Sequence, residues 1–126
     1  MRDAVGVASA LVLIEVPAAL CSSTKMPVEK IYEVLASLQD NFRLRIAEFE
    51  AHAGLTRDLM FEFRGLKSKW EIGSADVHHL ATSIAEDCDV FVTTDEKDML
   101  REECRKEFGK HIRIVAPNQA LRELRN

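Results

Sequence analysis

The chain is poor in the residues that mark several whole classes of protein. It has three cysteines, Cys21, Cys88 and Cys104. An odd number cannot all pair internally, and their spacing is not that of a zinc site, so reduced and mostly buried thiols are the expectation. Only 5 glycines and 3 prolines occur in 126 residues, and no repeat, low-complexity tract or linker divides them. Aromatic residues are scarce, and the lone Trp70 reads as packing rather than base stacking. There is no surplus of positive charge. The formal net charge of −4 argues against coating nucleic acid through bulk attraction, although a metal at an acidic centre can reverse the field locally. No apolar run approaches the roughly 20 residues of a bilayer span. The best stretch, "ALVLIEVPAALC", is interrupted by Glu15 and Pro17. No basic, apolar and small-residue segments follow one another in signal-peptide order, so a cytoplasmic location is the default expectation.

What is present suits one globular domain over residues 1–126. Hydrophobic residues make up 47% and charged residues 30%, which fits neither a disordered nor a membrane-spanning chain. "AVGVA" (Ala4–Ala8) is a short apolar run consistent with a strand covered on both faces. Ser9 can then cap a helix in which Pro17 should produce a kink or a break. Pro27 fits the first turn of a second helix, whose apolar face is Val28, Ile31, Val34, Leu35 and Leu38. Phe42, Leu44 and Ile46 alternate with Arg43 and Arg45, which predicts a strand at a sheet edge. Helical periodicity returns from Glu50 to about Lys69, weakened at Gly54 and Gly65. A helix over Asp76–Asp87, a buried strand over Cys88–Thr94 and a helix through "EKDMLREECRKEF" follow, the last ending at Gly109 as a C′ residue. "IRIVA" (Ile112–Ala116) is a final strand and "NQALREL" a terminal helix. Alternating strands and helices imply a mostly parallel sheet with helices on both faces, and ligands bind such sheets at the carboxyl ends of their strands.

Acidic residues fall at that edge. Asp95 follows the strand Val90–Val92 directly, Asp98 lies three residues further, and Asp76 opens the preceding helix. Glu15 stands two turns into the helix after the first strand and interrupts an apolar sequence, so burial beside a cation is one reading of it. Asp76 and Asp95 read equally as helix caps. Carboxylates converging on one edge repel unless a proton or cation intervenes, and Mg²⁺ or Mn²⁺ prefers such oxygen donors. His78 and His79 are adjacent, point about 100° apart on a helix, and have no His or Cys four positions away, which argues against zinc. His79, three residues after Asp76, is the one expected to face the site.

"SALVLIEV" (Ser9–Val16), "ADVHHLATSIAEDCDVFVTTDEKDML" (Ala75–Leu100) and "IRIVAP" together resemble PIN domains, metal-dependent ribonucleases that include the VapC toxins. In that family a strand-end serine precedes a helical glutamate by six residues, as Ser9 precedes Glu15. A "DAxHLATA"-like helix supplies an aspartate matching Asp76, and a "TTD" turn supplies one matching Asp95, with a further acid at Asp98. The resemblance implies endonucleolytic hydrolysis of RNA with Mg²⁺ or Mn²⁺ held by Glu15, Asp76, Asp95 and Asp98. Ser9, Thr94 and His79 would orient a ligand or phosphate. Arg64, Lys67 and Lys69, with Lys97 and Arg101, are the basic candidates for substrate contacts, although a solvated helix face is the commoner role for each. An antitoxin peptide and a homodimer are the protein partners the resemblance implies. The apolar positions of Met26–Leu38 and Phe61–Leu66 are candidates for the dimer contact and equally for the core.

One departure matters. The family opens with a strand ending in "LDT" or "LDA", whose aspartate binds metal and whose position is the centre of a 3-2-1-4-5 sheet. This sequence begins at what resembles the second strand, and Asp3 precedes that strand rather than ending an earlier one. The resemblance therefore implies a PIN-like three-layer α/β domain without its central first strand, either an N-terminally incomplete chain or one that closes the gap or borrows a strand. Two rivals from other classes remain. A non-catalytic PIN-like module that binds RNA or protein would tolerate the absent aspartate. A phospho-receiver domain is also acidic at this edge, but the last strand leads into Ala116 and Pro117 with no lysine at its end.

Overall fold

The computed structural model describes residues 5–23, 25–40, 44–64 and 72–125. The first strand, β1, is Gly6–Ser9, followed by helices α1 (Val12–Ser23) and α2 (Val28–Asp40), then strand β2 (Leu44–Ala47) and helix α3 (Phe49–Glu62). Helix α4 (Ser74–Ala85) leads into strand β3 (Val90–Val92), and the order closes with α5 (Glu102–Phe108), β4 (Arg113–Val115) and α6 (Pro117–Arg125). This is the mixed α/β architecture with short parallel strands that the alternation of elements predicts. No helix among the described residues is long and apolar enough to cross a membrane.

The strands form two parallel pairs. Gly6 to Ser9 register with Leu44 to Ala47, and Val90 to Val92 with Arg113 to Val115. Among the described residues β1 pairs only with β2 and β3 only with β4. Gly6 lets the first pair close up, since a Cβ there would stand 3.0 Å from the Leu44 Cδ1. Arg45 is exposed on β2, as its outward alternation predicts, and reaches Glu86 at 3.1 Å.

Helix α4 joins the two pairs, because it packs against β1 and β3 as well as along α3. Its C-terminus stops through a left-handed residue. Asp87 has φ 56°, and the Cys88 N–H donates to the Ser83 carbonyl at 2.9 Å, closing the helix in Schellman fashion. Aspartate is among the few residues that adopt this conformation at low cost. β3 then runs back along α4, which sets its carboxyl end towards the N-terminal half of that helix. Ser9, the last residue of β1, is hydrogen-bonded to His79 in the same half. β1 and β3 therefore open towards one mouth.

The buried core sits beside this mouth. Leu59 from α3 and Phe63 at its C-cap, Val77, Leu80 and Ala81 from α4, and Cys104, Phe108 and Ile114 from the C-terminal half form one apolar cluster. Phe63 meets Phe108 edge to face at 4.4 Å between ring centroids, a favoured aromatic geometry. Burial of this cluster is the main stabilising term in the fold. It also makes α4 a rigid platform for the polar residues on its other side.

Three expectations about elements are corrected. Pro17 neither breaks α1 nor ends it, and Val12–Ser23 is one helix with the proline inside. Gly54 lies within α3, as the helical reading from Glu50 onward has it; Gly65 and Trp70 fall outside the described residues. The expected helix from Glu96 begins only at Glu102, because residues 96–100 are a turn and Arg101 is extended at φ −62°, ψ 144°. The Asp98 N–H donates to the Asp95 carboxylate instead of entering a helical ladder. Gly109 is the cap residue of α5 itself, in the right-handed region at φ −60°, not a left-handed C′.

Candidate active site

Local sequence places each acid at the mouth by a different device. Asp76 is the third residue of α4, and its Oδ2 accepts from the Gly73 N–H at 3.3 Å. That bond satisfies one of the free donors at the helix start, and the negative charge suits the positive end of the helix. Asp95 is held in an Asx-type turn. Its N–H donates to Thr93 Oγ1 at 3.1 Å, and its Oδ1 accepts from the Asp98 N–H at 3.1 Å. Asp98 is 8% exposed, far more buried than an aspartate usually is. The buried Cys104 senses these acids: burial pushes its thiol up, and the Asp98 charge pushes in the same direction.

Glu15 differs from its expectation. It is not buried in α1; its side chain is 47% exposed and extends to His79, whose Nε2 lies 2.5 Å from Oε1. On its other side the His79 Nδ1 is 2.8 Å from Ser9 Oγ, and the same oxygen accepts from the Leu11 N–H at 3.3 Å. Ser9, His79 and Glu15 thus form one chain of hydrogen bonds from the end of β1 to the surface. His79 was expected to face the site beside Asp76. Its direct partner is Glu15, and that pairing spans 64 positions of sequence, so no local pattern could reveal it.

His78 turns the other way. It is 3% exposed, with Nδ1 2.8 Å from Thr56 Oγ1. The Thr56 hydroxyl donates to the His52 carbonyl at 2.9 Å, so it accepts from the His78 Nδ1–H. Burial lowers the His78 pKa from its ordinary 6.5, and the nearby His79 and His52 lower it further. Around the same helix end, His52 Nε2 lies 3.5 Å from Glu86 Oε1, beside Arg45. Burial alone would raise the Glu86 carboxyl, but the pull of His52 and Arg45 outweighs it, and the pKa falls below the ordinary 4.5. Both lowered groups bind fewer protons when folded than when unfolded. Stability is therefore expected to fall with pH, first below about 6.5 as unfolded chains protonate at His78, and again in the carboxylate range through Glu86. Thermal melts between pH 8 and 5 check the first window. His78→Asn, which cannot take up that proton, should flatten it.

Of the remaining candidates, Thr94 and Arg64 are exposed, and so are Lys97 and Arg101. The Arg101 Nε donates to the Lys97 carbonyl. Lys67 and Lys69 lie outside the described residues. The acids fit a hard divalent cation in kind, being oxygen donors. In placement they do not complete a site: among the described residues no three of His, Cys, Asp and Glu are arranged to hold one ion. The structure brings together Ser9, His79 and Glu15 as one group and Asp95 and Asp98 as another, with Asp76 one helical turn before His79.

A family sequence model described as "PIN domain" matches residues 1–102. No curated protein and no solved structure matches the chain.

Proposed function

We propose that this chain, which belongs to the PIN domain family, acts as an endoribonuclease dependent on Mg²⁺ or Mn²⁺. PIN domains are generally nucleases and typically bind divalent metals. What supports the reading here is that acids stand at the ends of elements that open at the carboxyl ends of β1 and β3. Asp95 leaves β3, Asp76 opens α4, and Glu15 is drawn to α4 by His79. Glu15, Asp76, Asp95 and Asp98 are the residues that would hold the ion. It would supply a bound water of lowered pKa and offset charge on the phosphate. Thr94 and Ser9 would orient the group at the strand ends, and Arg64, Lys67 and Lys69 would steer the RNA backbone. A toxin role, with an antitoxin peptide over the acidic mouth, belongs to the same reading. So does a homodimer through Val28, Tyr32 and Phe61, whose side chains are 61%, 68% and 64% exposed.

The test is incubation with single-stranded and structured RNA in Mg²⁺, in Mn²⁺ and in EDTA. Cleavage that requires metal supports the proposal. A second reading, a non-catalytic module that binds RNA or protein, is favoured by the absence of three convergent ligands among the described residues. RNA retained in a gel shift but left intact in every metal would decide for it. The edges of β1 and β3 that are unpaired among the described residues have a place in either reading. A strand laid between them, from a longer chain or a second copy, would join the two pairs into one sheet. Native-state amide exchange that finds the outward amides of both strands unprotected, in a longer chain and at high protein concentration alike, would rule this out.

A further inference from the structure

The hydrogen-bond chain at the end of β1 has the composition of a hydrolase relay, a serine, a histidine and a carboxylate, but its accessibility runs the opposite way. Ser9 is 1% exposed, so its hydroxyl cannot reach a substrate, whereas the Glu15 side chain at the far end is 47% exposed. Such a chain cannot activate the serine as a nucleophile, and it can order the carboxylate. Proton accounting gives its direction. The Leu11 N–H already donates to Ser9 Oγ, and Ser9 stands 2.8 Å from His79 Nδ1. With the hydroxyl proton given to Nδ1, the ring carries its own proton on Nε2, and Nε2–H donates to Glu15 Oε1 at 2.5 Å. The reverse arrangement, with protons on both ring nitrogens, would turn Nδ1–H onto the serine oxygen and leave a buried hydroxyl proton pointing away from its best acceptor.

We propose that His79 is a positioning residue: Ser9 fixes it as the Nε2–H tautomer, and in that form it holds the Glu15 carboxylate at the mouth. Without it, Glu15 stands on an exposed turn of α1 whose neighbours Leu13 and Ile14 are themselves 43% and 68% exposed. Among the described residues no other hydrogen-bond or ion-pair partner holds this long flexible side chain in one rotamer. The platform behind His79 is firm, because Leu80 and Ala81 next to it are both 0% exposed. The adjacent histidines thus divide the work. His78 donates from Nδ1 to Thr56 in the interior, and His79 donates from Nε2 to the surface. The importance of this clamp for function rests on the reading of Glu15 as a working carboxylate. The clamp itself is a property of the chain alone.

Nitrogen NMR of the full chain, recorded without metal or RNA, tests it whether or not the protein cleaves RNA. The His79 ring is expected to show Nε2 protonated and Nδ1 bare, and Ser9→Ala to convert this to a mixture of tautomers. The Glu15 carboxyl carbon signal should move to the position of a free glutamate in His79→Leu. It should stay near its place in His79→Gln, which keeps a donor at the equivalent atom. In Mn²⁺ titrations His79→Leu is expected to weaken binding about tenfold or more, the usual loss when an outer partner of a ligand is removed, and His79→Gln to stay within a few-fold. A wild-type ring protonated on Nδ1 instead, or a Glu15 signal unmoved by His79→Leu, overturns the proposal.

Discussion

Asp95→Asn is expected to lower metal-dependent RNA cleavage about 100-fold or more, on the scale of removing one electrostatic group from an active site. The substitution is close to isosteric and spares the turn. Asparagine keeps the oxygen that accepts the Asp98 N–H, and the backbone bond to Thr93 Oγ1 does not involve the side chain. What it removes is a unit of negative charge, which a hard cation needs and a turn does not. Asp76→Asn is a parallel case: the Gly73 N–H can still find an amide oxygen at the helix start. Glu33→Gln is the control. It removes the same charge from an exposed side chain on α2 that pairs with Lys30, and cleavage should not change. Rates measured over a range of Mn²⁺ separate a lost ligand, which added metal partly restores, from a lost fold, which it does not. Full cleavage by both the Asp95 and the Asp76 variants would sink the proposed site.

The contrast between caps and ligands shows how far sequence carries such a site. Placement at the mouth was legible because it depends on element order and direction: an aspartate after a strand and another opening the preceding helix must share one edge of a parallel sheet. The helices with a continuous apolar face and the strands "VFV" and "RIV" were legible for the same reason. Periodicity records which side is buried. Details set by bonds between distant residues were not legible. Burial beside a cation was one reading of Glu15 because it interrupts apolar neighbours, yet Leu13 and Ile14 are themselves exposed, so the local hydrophobicity of α1 misstated its surroundings. Residues 96–100 carry good helix formers, but the Asp95 carboxylate captures the Asp98 N–H and a turn wins over a helix. Pro17 was expected to kink or break α1, and the helix runs on past it without a break. In each case a local rule met a competitor that lies elsewhere in the chain or in a single side-chain bond.

The second large effect concerns stability. Leu80→Ala is expected to cost about 3 kcal/mol, within the range found when a fully buried leucine is truncated. Leu80 is 0% exposed and belongs to the cluster with Leu59, Phe63, Val77, Phe108 and Ile114. Helix α4 packs along α3 and on β1 and β3, so the hole cannot close by moving one free element. Little relaxation means that the cavity term adds to the lost transfer energy. For a domain whose total stability is on the order of 5–15 kcal/mol, this is a large share. The melting temperature should fall by roughly 10 °C. Urea unfolding followed by circular dichroism measures it, with Tyr32→Ala as the comparison. Tyr32 is 68% exposed, and its truncation should change stability by no more than about 0.5 kcal/mol. A Leu80→Ala loss below about 1 kcal/mol would mean a core able to collapse around α4. A helix that shifts so easily could not hold His79 against Glu15, so the stability measurement also bears on the rigidity that the mouth requires.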